Sequence, residues 1–134
     1  MTLYDYLKTS PQDWDTYDTE YDVCVTIGHV YEDDEDDEEG WYSDFRKFYI
    51  NIMKKVNVIS QEEDCLIINW SDLIKNNMKK FRAFSKENWF KHRQFENDED
   101  EFVYQWIKEI HLYIAGYVSD NFYNKLVDFV STLE

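Results

Sequence analysis

Hydrophobic and polar positions change period several times along this chain, and each change marks an element. In "EYDVCVTIGHVY" (residues 20–31), Tyr21, Val23, Val25 and Ile27 fall on one side, and Asp22, Cys24, Thr26 and Gly28 on the other. Strict alternation of this kind predicts a half-buried strand. From residue 41 the period lengthens: apolar residues recur at 41, 45, 48, 49, 52, 53 and 56 of "WYSDFRKFYINIMKKV", which is helical spacing. "VNVIS" and "CLIINW" then bracket the polar "QEED" and predict a hairpin with a four-residue turn. The second of these, apolar at nearly every position from Cys65 to Trp70, has the pattern of a central strand.

The remaining segments are helical and carry their own boundaries. Thr2 and Asp5 are placed to cap a short helix over Thr2 to Lys8, which Pro11 ends. Ser71 is placed to cap "DLIKNNMKKFRAF", with Ile74, Met78 and Phe81 inward. Asp98 and Glu101 form a capping-box pattern before "FVYQWIKEIHLYIA", whose Phe102, Val103, Trp106, Ile107, Ile110 and Ile114 share one broad face. Gly116 is suited to stop that helix. Ser119 restarts a last one, with Phe122, Leu126, Phe129 and Leu133 inward. The expected fold is a single α+β domain over residues 1–134. It has four to five helices on a small three-stranded antiparallel sheet, ordered first strand, third, second.

Composition narrows this picture. A chain of 134 residues with 19% aromatics can bury a core of its own, and 3 Gly and 1 Pro favour helices over a turn-rich sandwich. No apolar stretch reaches the ~18 residues needed to cross a membrane, and "MTLYDYLKTS" lacks the regions of a secretory signal. Cys24 and Cys65 have no paired spacing and read as reduced core thiols. The expected location is the cytoplasm of a bacterial host. The preference for Phe, Tyr, Ile, Asn and Lys over Gly, Ala, Arg and Pro fits an AT-rich coding sequence.

Charge changes the picture most. The net charge is −15, and residues 1–40 hold 14 acids against the single base Lys8, or −13, leaving −2 for residues 41–134. A field so placed repels nucleic acid and membranes and attracts basic proteins, so the expected partner is a basic nucleic-acid-binding protein, with no direct nucleic-acid contact. Lys75, Lys79, Arg82 and Lys86 run against this trend as a helical stripe, read as a solvated face that neutralises acids nearby. Catalytic and cofactor motifs are missing: there is no Gly-rich phosphate loop, nucleophile elbow, HExxH or paired CxxC, and His29, His92 and His111 are scattered. The octa-acidic run Glu32 to Glu39 fails as a calcium loop. Counted from Asp34, position 6 is Glu39 instead of Gly, and position 12 is Phe45 instead of Glu. No catalytic, cofactor or metal residue is assigned, and a non-enzymatic protein is expected.

The acids of the first 40 residues are the candidate partner-binding set. In "DWDTYDTEYD" Asp13, Asp15, Asp18, Glu20 and Asp22 are interleaved with Trp14, Tyr17 and Tyr21. If Asp18, Glu20 and Asp22 share one strand face, they stand roughly 6–7 Å apart per two-residue step, comparable to phosphates along one nucleic-acid strand. The assigned residues are Asp13, Trp14, Asp15, Tyr17, Asp18, Glu20 and Asp22. Glu32, Asp33, Asp34, Glu35, Asp36, Asp37, Glu38 and Glu39 are added as a source of field. "ENDEDE" (residues 96–101) is a third acidic cluster. Read without a mimicry role, the same residues describe a solvated loop and polar faces.

Small size, AT-rich bias, acidity and aromatic content together resemble anti-CRISPR and other anti-defence proteins of phages and mobile elements. The opening "MTLYDYLKTSPQDWDTYDTEYDVCVTI" is similar to the starts of small proteins from such elements. The resemblance is one of overall character and carries no specific motif. It implies a non-enzymatic inhibitor of a CRISPR effector nuclease. An immunity protein or antitoxin against a nuclease toxin would need the same acidic, aromatic face. An oligomeric accessory protein would instead use the aromatic helices as an interface.

Overall fold

The computed structural model describes residues 1–9, 12–28, 41–88, 97–116 and 118–134, excepting the side chains of residues 41–43 and 120. Among these, ten elements follow in the order α1 (Leu3–Thr9), β1 (Trp14–Asp18), β2 (Val23–Ile27), α2 (Trp41–Met53), β3 (Ser60–Glu62), β4 (Cys65–Ile67), α3 (Trp70–Asn76), α4 (Met78–Asn88), α5 (Glu99–Ile114) and α6 (Asp120–Ser131). The fold is α+β, as the alternation of periods predicts. The sheet has four strands in the order β2-β1-β4-β3, and it is mixed: β1 is antiparallel to β2 and parallel to β4. The expected three-stranded antiparallel sheet is therefore corrected. The predicted strands keep their relative order, but β1 is inserted between β2 and β4. Its two Asp residues, of a type depleted in strands, hid it from the sequence reading. Six helices, not four to five, stand among the described residues.

Local chemistry explains most boundaries. The Thr2 hydroxyl and amide both donate to Asp5 Oδ2 (2.9 and 3.1 Å), and the Asp5 amide donates back to Thr2 Oγ1 at 3.4 Å, so α1 is capped reciprocally. Asp98 accepts from the Glu101 amide at 3.2 Å and caps α5 as expected. Gly116 takes φ 84° just past α5, the left-handed turn that a side chain resists. The β3–β4 turn is shorter than expected: Gln61 and Glu62 lie in β3, and only Glu63, with φ 53°, and Asp64 form the turn. The helix expected after Ser71 is broken at Asn77 into α3 and α4. There Asn77 Nδ2 donates to the Leu73 carbonyl at 2.8 Å, and Asn77 Oδ1 accepts from the Glu134 amide at 2.9 Å. An Asn side chain that bonds the backbone competes with the helix ladder.

One core joins both halves of the chain. On the sheet's inner face Trp14, Thr16, Val25, Ile27, Leu66 and Ile68 are buried. Behind them the helices build a layer dominated by rings: Phe81 meets Trp106 edge-on at 4.6 Å, and Phe84 stacks on Phe129 at 4.3 Å. All six residues predicted for the inner face of α5 are buried. Helix α2 packs chiefly on α6, bringing Phe48 to 5.9 Å from Tyr123. The Tyr123 hydroxyl donates to the Tyr113 carbonyl at 2.7 Å.

Candidate interaction surface on the open sheet face

Strand register decides which acids face solvent. Paired residues share a face, so Asp15 is joined by Thr26 and Cys65, and Tyr17 by Cys24 and Ile67. Glu62 and Ser60 extend these rows onto β3. This outer face is open among the described residues: Asp13, Asp15, Cys24, Thr26, Ser60 and Glu62 are exposed, and Tyr17, Cys65 and Ile67 half-buried. Asp15 lies on β1 and Asp13 immediately before it, both exposed. The Thr26 hydroxyl donates to Asp15 at 2.8 Å, and the Tyr17 hydroxyl donates to Asp22. Two acids of the row are thus held in place by hydroxyl donors, without a cation.

The expected row of Asp18, Glu20 and Asp22 on one solvent-facing strand is corrected. Strand β1 ends at Asp18, and residues 19–22 form the β1–β2 turn, with Asp22 at φ 55°. Asp18 points inward with 0% exposure. Its Oδ1 accepts the amides of Glu20 (2.9 Å) and Tyr21 (3.1 Å), and its Oδ2 accepts the amide of Ser71 (2.9 Å). A buried carboxylate is tolerable only with such donors. Asp18 therefore shapes the turn and satisfies an orphan amide in the first turn of α3. The expected cap Ser71 lies inside that turn. Asn69 holds the cap position without a side-chain cap bond, its carbonyl oxygen engaged instead by the Thr19 hydroxyl (3.1 Å) and amide (3.3 Å).

The remaining predicted residues divide. Glu20 forms an ion pair with Lys75 and accepts from the Ser71 hydroxyl at 3.2 Å. The Lys75 hydrogen bond, the foremost cause, holds the Glu20 carboxyl below its ordinary range. The base stripe thus does neutralise an acid in its own molecule, at this one position. Tyr21 lies under Lys75 Nζ, 5.3 Å from its ring centroid, and donates to Asp100 at 3.0 Å. This uses part of the third acidic cluster to dock the turn on α5. Trp14, expected beside exposed acids, is 5% exposed and packs edge-on against Tyr6; its Nε1 has no hydrogen-bond partner among the described residues. Glu32 to Glu39 lie outside the described residues.

The cysteines are a further correction. Instead of lying in the core, Cys24 is exposed and Cys65 half-buried on the open face. They sit on strands either side of β1 and two residues out of register, about 12 Å apart by strand geometry, beyond the ~7 Å that a disulfide spans. Both thiols are held above their usual range, first by desolvation and then by neighbouring negative groups that include Asp15. The Tyr17 phenol is likewise raised, chiefly by its bond to Asp22.

No Lys or Arg occurs from residue 9 to 45 or from 56 to 74, so the strands and their hairpin turns carry seven acids (15, 18, 20, 22, 62, 63 and 64), with Asp13 just before β1, and no base. That asymmetry was visible in the sequence. The strand that displays it, β1, was missed, although Trp14, Thr16 and Tyr17 are strand-favouring residues and positions 13–18 alternate. Among the described residues no group of three or more His, Cys, Asp or Glu is arranged to hold a metal ion, and no helix is long and apolar enough to cross a membrane. The chain matches no protein-family model, and neither curated proteins nor solved structures give a significant match.

Proposed function

We propose that this protein is a non-enzymatic inhibitor that binds a basic, nucleic-acid-handling protein, most specifically a CRISPR effector nuclease, in the cytoplasm of a bacterial host. The observation that carries the reading is the open face of the sheet. Asp13, Asp15, Asp22 and Glu62 lie on or beside it, and its strands and turns contain no base. A basic groove built for phosphates recognises anions at fixed spacing, and carboxylates on a sheet are held more rigidly than those on a loop. The hydroxyl donors of Thr26 and Tyr17 fix two of these acids without cancelling their charge. Asp15 replaces Asp18 and Glu20 as the solvent-facing acid in strand register, with Asp13 just before the strand and Asp18 supporting the turn that presents Asp22.

Affinity capture against a panel of CRISPR nucleases, restriction enzymes and nuclease toxins tests the reading. The D13K/D15K/E62K variant serves as comparison, because all three side chains are exposed. Capture of a CRISPR nuclease by the native chain, lost in the variant, is the expected result. Capture that survives the three reversals would sink the acidic-face mechanism. Selective capture of a nuclease toxin would keep the face and reassign the protein as an immunity protein or antitoxin.

A further inference from the structure

We propose that the exposed face of α4 is a contact site for the phosphate backbone of nucleic acid, built from Lys79, Arg82 and Lys86. The Asn77 break leaves these three on α4 and assigns Lys75 to Glu20, so what read as one stripe is an occupied cation plus a free triad. All three are exposed, as is Ala83 between them, while Phe81, Phe84 and Ser85 turn inward. Helical spacing puts the triad within about 60° of the helix circumference and spreads it over about 10.5 Å. Four successive phosphates of one strand span about 10 Å along a duplex axis, so the triad matches the length of such a run. Among the described residues Lys79, Arg82 and Lys86 form no ion pair; Arg82 rests 6.0 Å from the Phe102 ring centroid, which orients its guanidinium without neutralising it.

The composition of the face selects the occupant. Protein interfaces are built around buried aromatic or aliphatic anchors and are depleted in Lys, whereas the exposed residues of α4 are Lys79, Arg82, Ala83, Lys86 and Glu87, with no large apolar side chain. Phosphate contacts need only cations and close approach, which Ala83 permits. The whole-chain charge of −15 predicts repulsion. Screening over about 8 Å at physiological salt makes the local charges decide, and the exposed residues of α4 carry three bases against the one acid Glu87. The inference does not depend on the function proposed for the sheet.

Fluorescence anisotropy with a labelled 20-base-pair DNA duplex as probe, across a series from ~50 to ~200 mM salt, tests it. Three phosphate contacts give a log–log salt slope of about −2.7, or roughly a forty-fold loss of affinity over that range. The K79E/R82E/K86E variant, verified as folded by its thermal melt, is expected to abolish the binding, and D13K/D15K/E62K to retain it. No duplex binding at ~50 mM salt, or equal affinity in the α4 variant, would overturn the proposal. Salt-sensitive self-association without duplex binding, seen by sedimentation and lost in the α4 variant, would also overturn it by assigning the face to a second copy of the chain.

Discussion

The sheet layer and the helical layer solve opposite problems with the same chain. The strands and their turns carry seven acids and no base, and their inward polar groups are matched by specific donors and acceptors. Trp70 Nε1 donates to Thr16, which donates to the Val25 carbonyl, while three amides converge on Asp18. Among the described residues every base lies on or next to a helix, and the helical layer coheres through rings, with Phe81, Phe84, Trp106 and Phe129 clustered. The difference teaches that charge concentrates where hydrogen bonds fix geometry, while stability concentrates where aromatic area is buried. The joint between the layers is the β1–β2 turn, held to α3 through Asp18, Thr19 and Glu20 and to α5 through Tyr21.

Truncating each layer at its best-packed point should separate these contributions. Trp106→Ala removes a buried indole from the ring cluster and its 2.8 Å bond to Ser85, and is expected to cost about 3–5 kcal/mol in urea unfolding. A cost below that of a surface substitution would contradict a ring-based core. Asp18→Ala leaves three amides without their acceptor and is expected to cost about 3 kcal/mol. Hydrogen exchange should then quicken at Glu20, Tyr21 and Ser71 before it does at α5. Exchange that rises uniformly would mean that Asp18 is no joint but part of the common core.

Acid and alkali should act through different groups. Glu20, held low by Lys75, and Asp5, held low by Thr2, favour the charged folded form. Their contributions are present above the ordinary carboxyl values of 4.5 and 3.8 and disappear as pH falls through the lower folded values. Tyr49 and Tyr113, in the helical layer, are raised well above the ordinary 10.0, first by burial and then by the negative charge of Asp13 and Glu109 respectively. The neutral phenol is the folded form, so stability is complete below pH 10.0 and falls as pH rises beyond it. Phenolate absorbance should therefore rise in step with loss of helical circular dichroism. Ionisation of all tyrosines with the helices intact would refute the burial of these two. The smallest effect belongs to Glu20→Gln, since its ion pair with Lys75 is about two-fifths exposed on the acid side. Less than about 1 kcal/mol is expected, shrinking further in high salt.

Much of the helical layer was legible because its signals are local. The inward stripe of α5, the Asp98 cap, the stop at Gly116 and the capped start of α1 all follow from residues within a few positions of one another. The candidate face was half legible: the absence of bases from residues 9–45 and 56–74 is plain in the sequence, but the acids were placed on the wrong strand. Reading residues 18–22 as a continuation of β2 put Asp18 in solvent, whereas Asp22 takes a left-handed conformation and the chain reverses there. Trp14 was misplaced for the same reason, whereas Cys24 already stood on the polar side of its strand's alternation, which its assignment to the core overlooked.

By itself the sequence determined the inward face of α5, the caps at Thr2 and Asp98 and the separation of charge along the chain, because periodicity and composition act over one or two turns. Only the tertiary structure decided which acids are surface and which are scaffold. Burying Asp18 requires the Ser71 amide from 53 residues away, and the parallel pairing of β1 with β4 brings together segments separated by more than a third of the chain. A carboxylate beside water and a carboxylate beside three amides are the same letter in the sequence; only the donors that converge on it set its role.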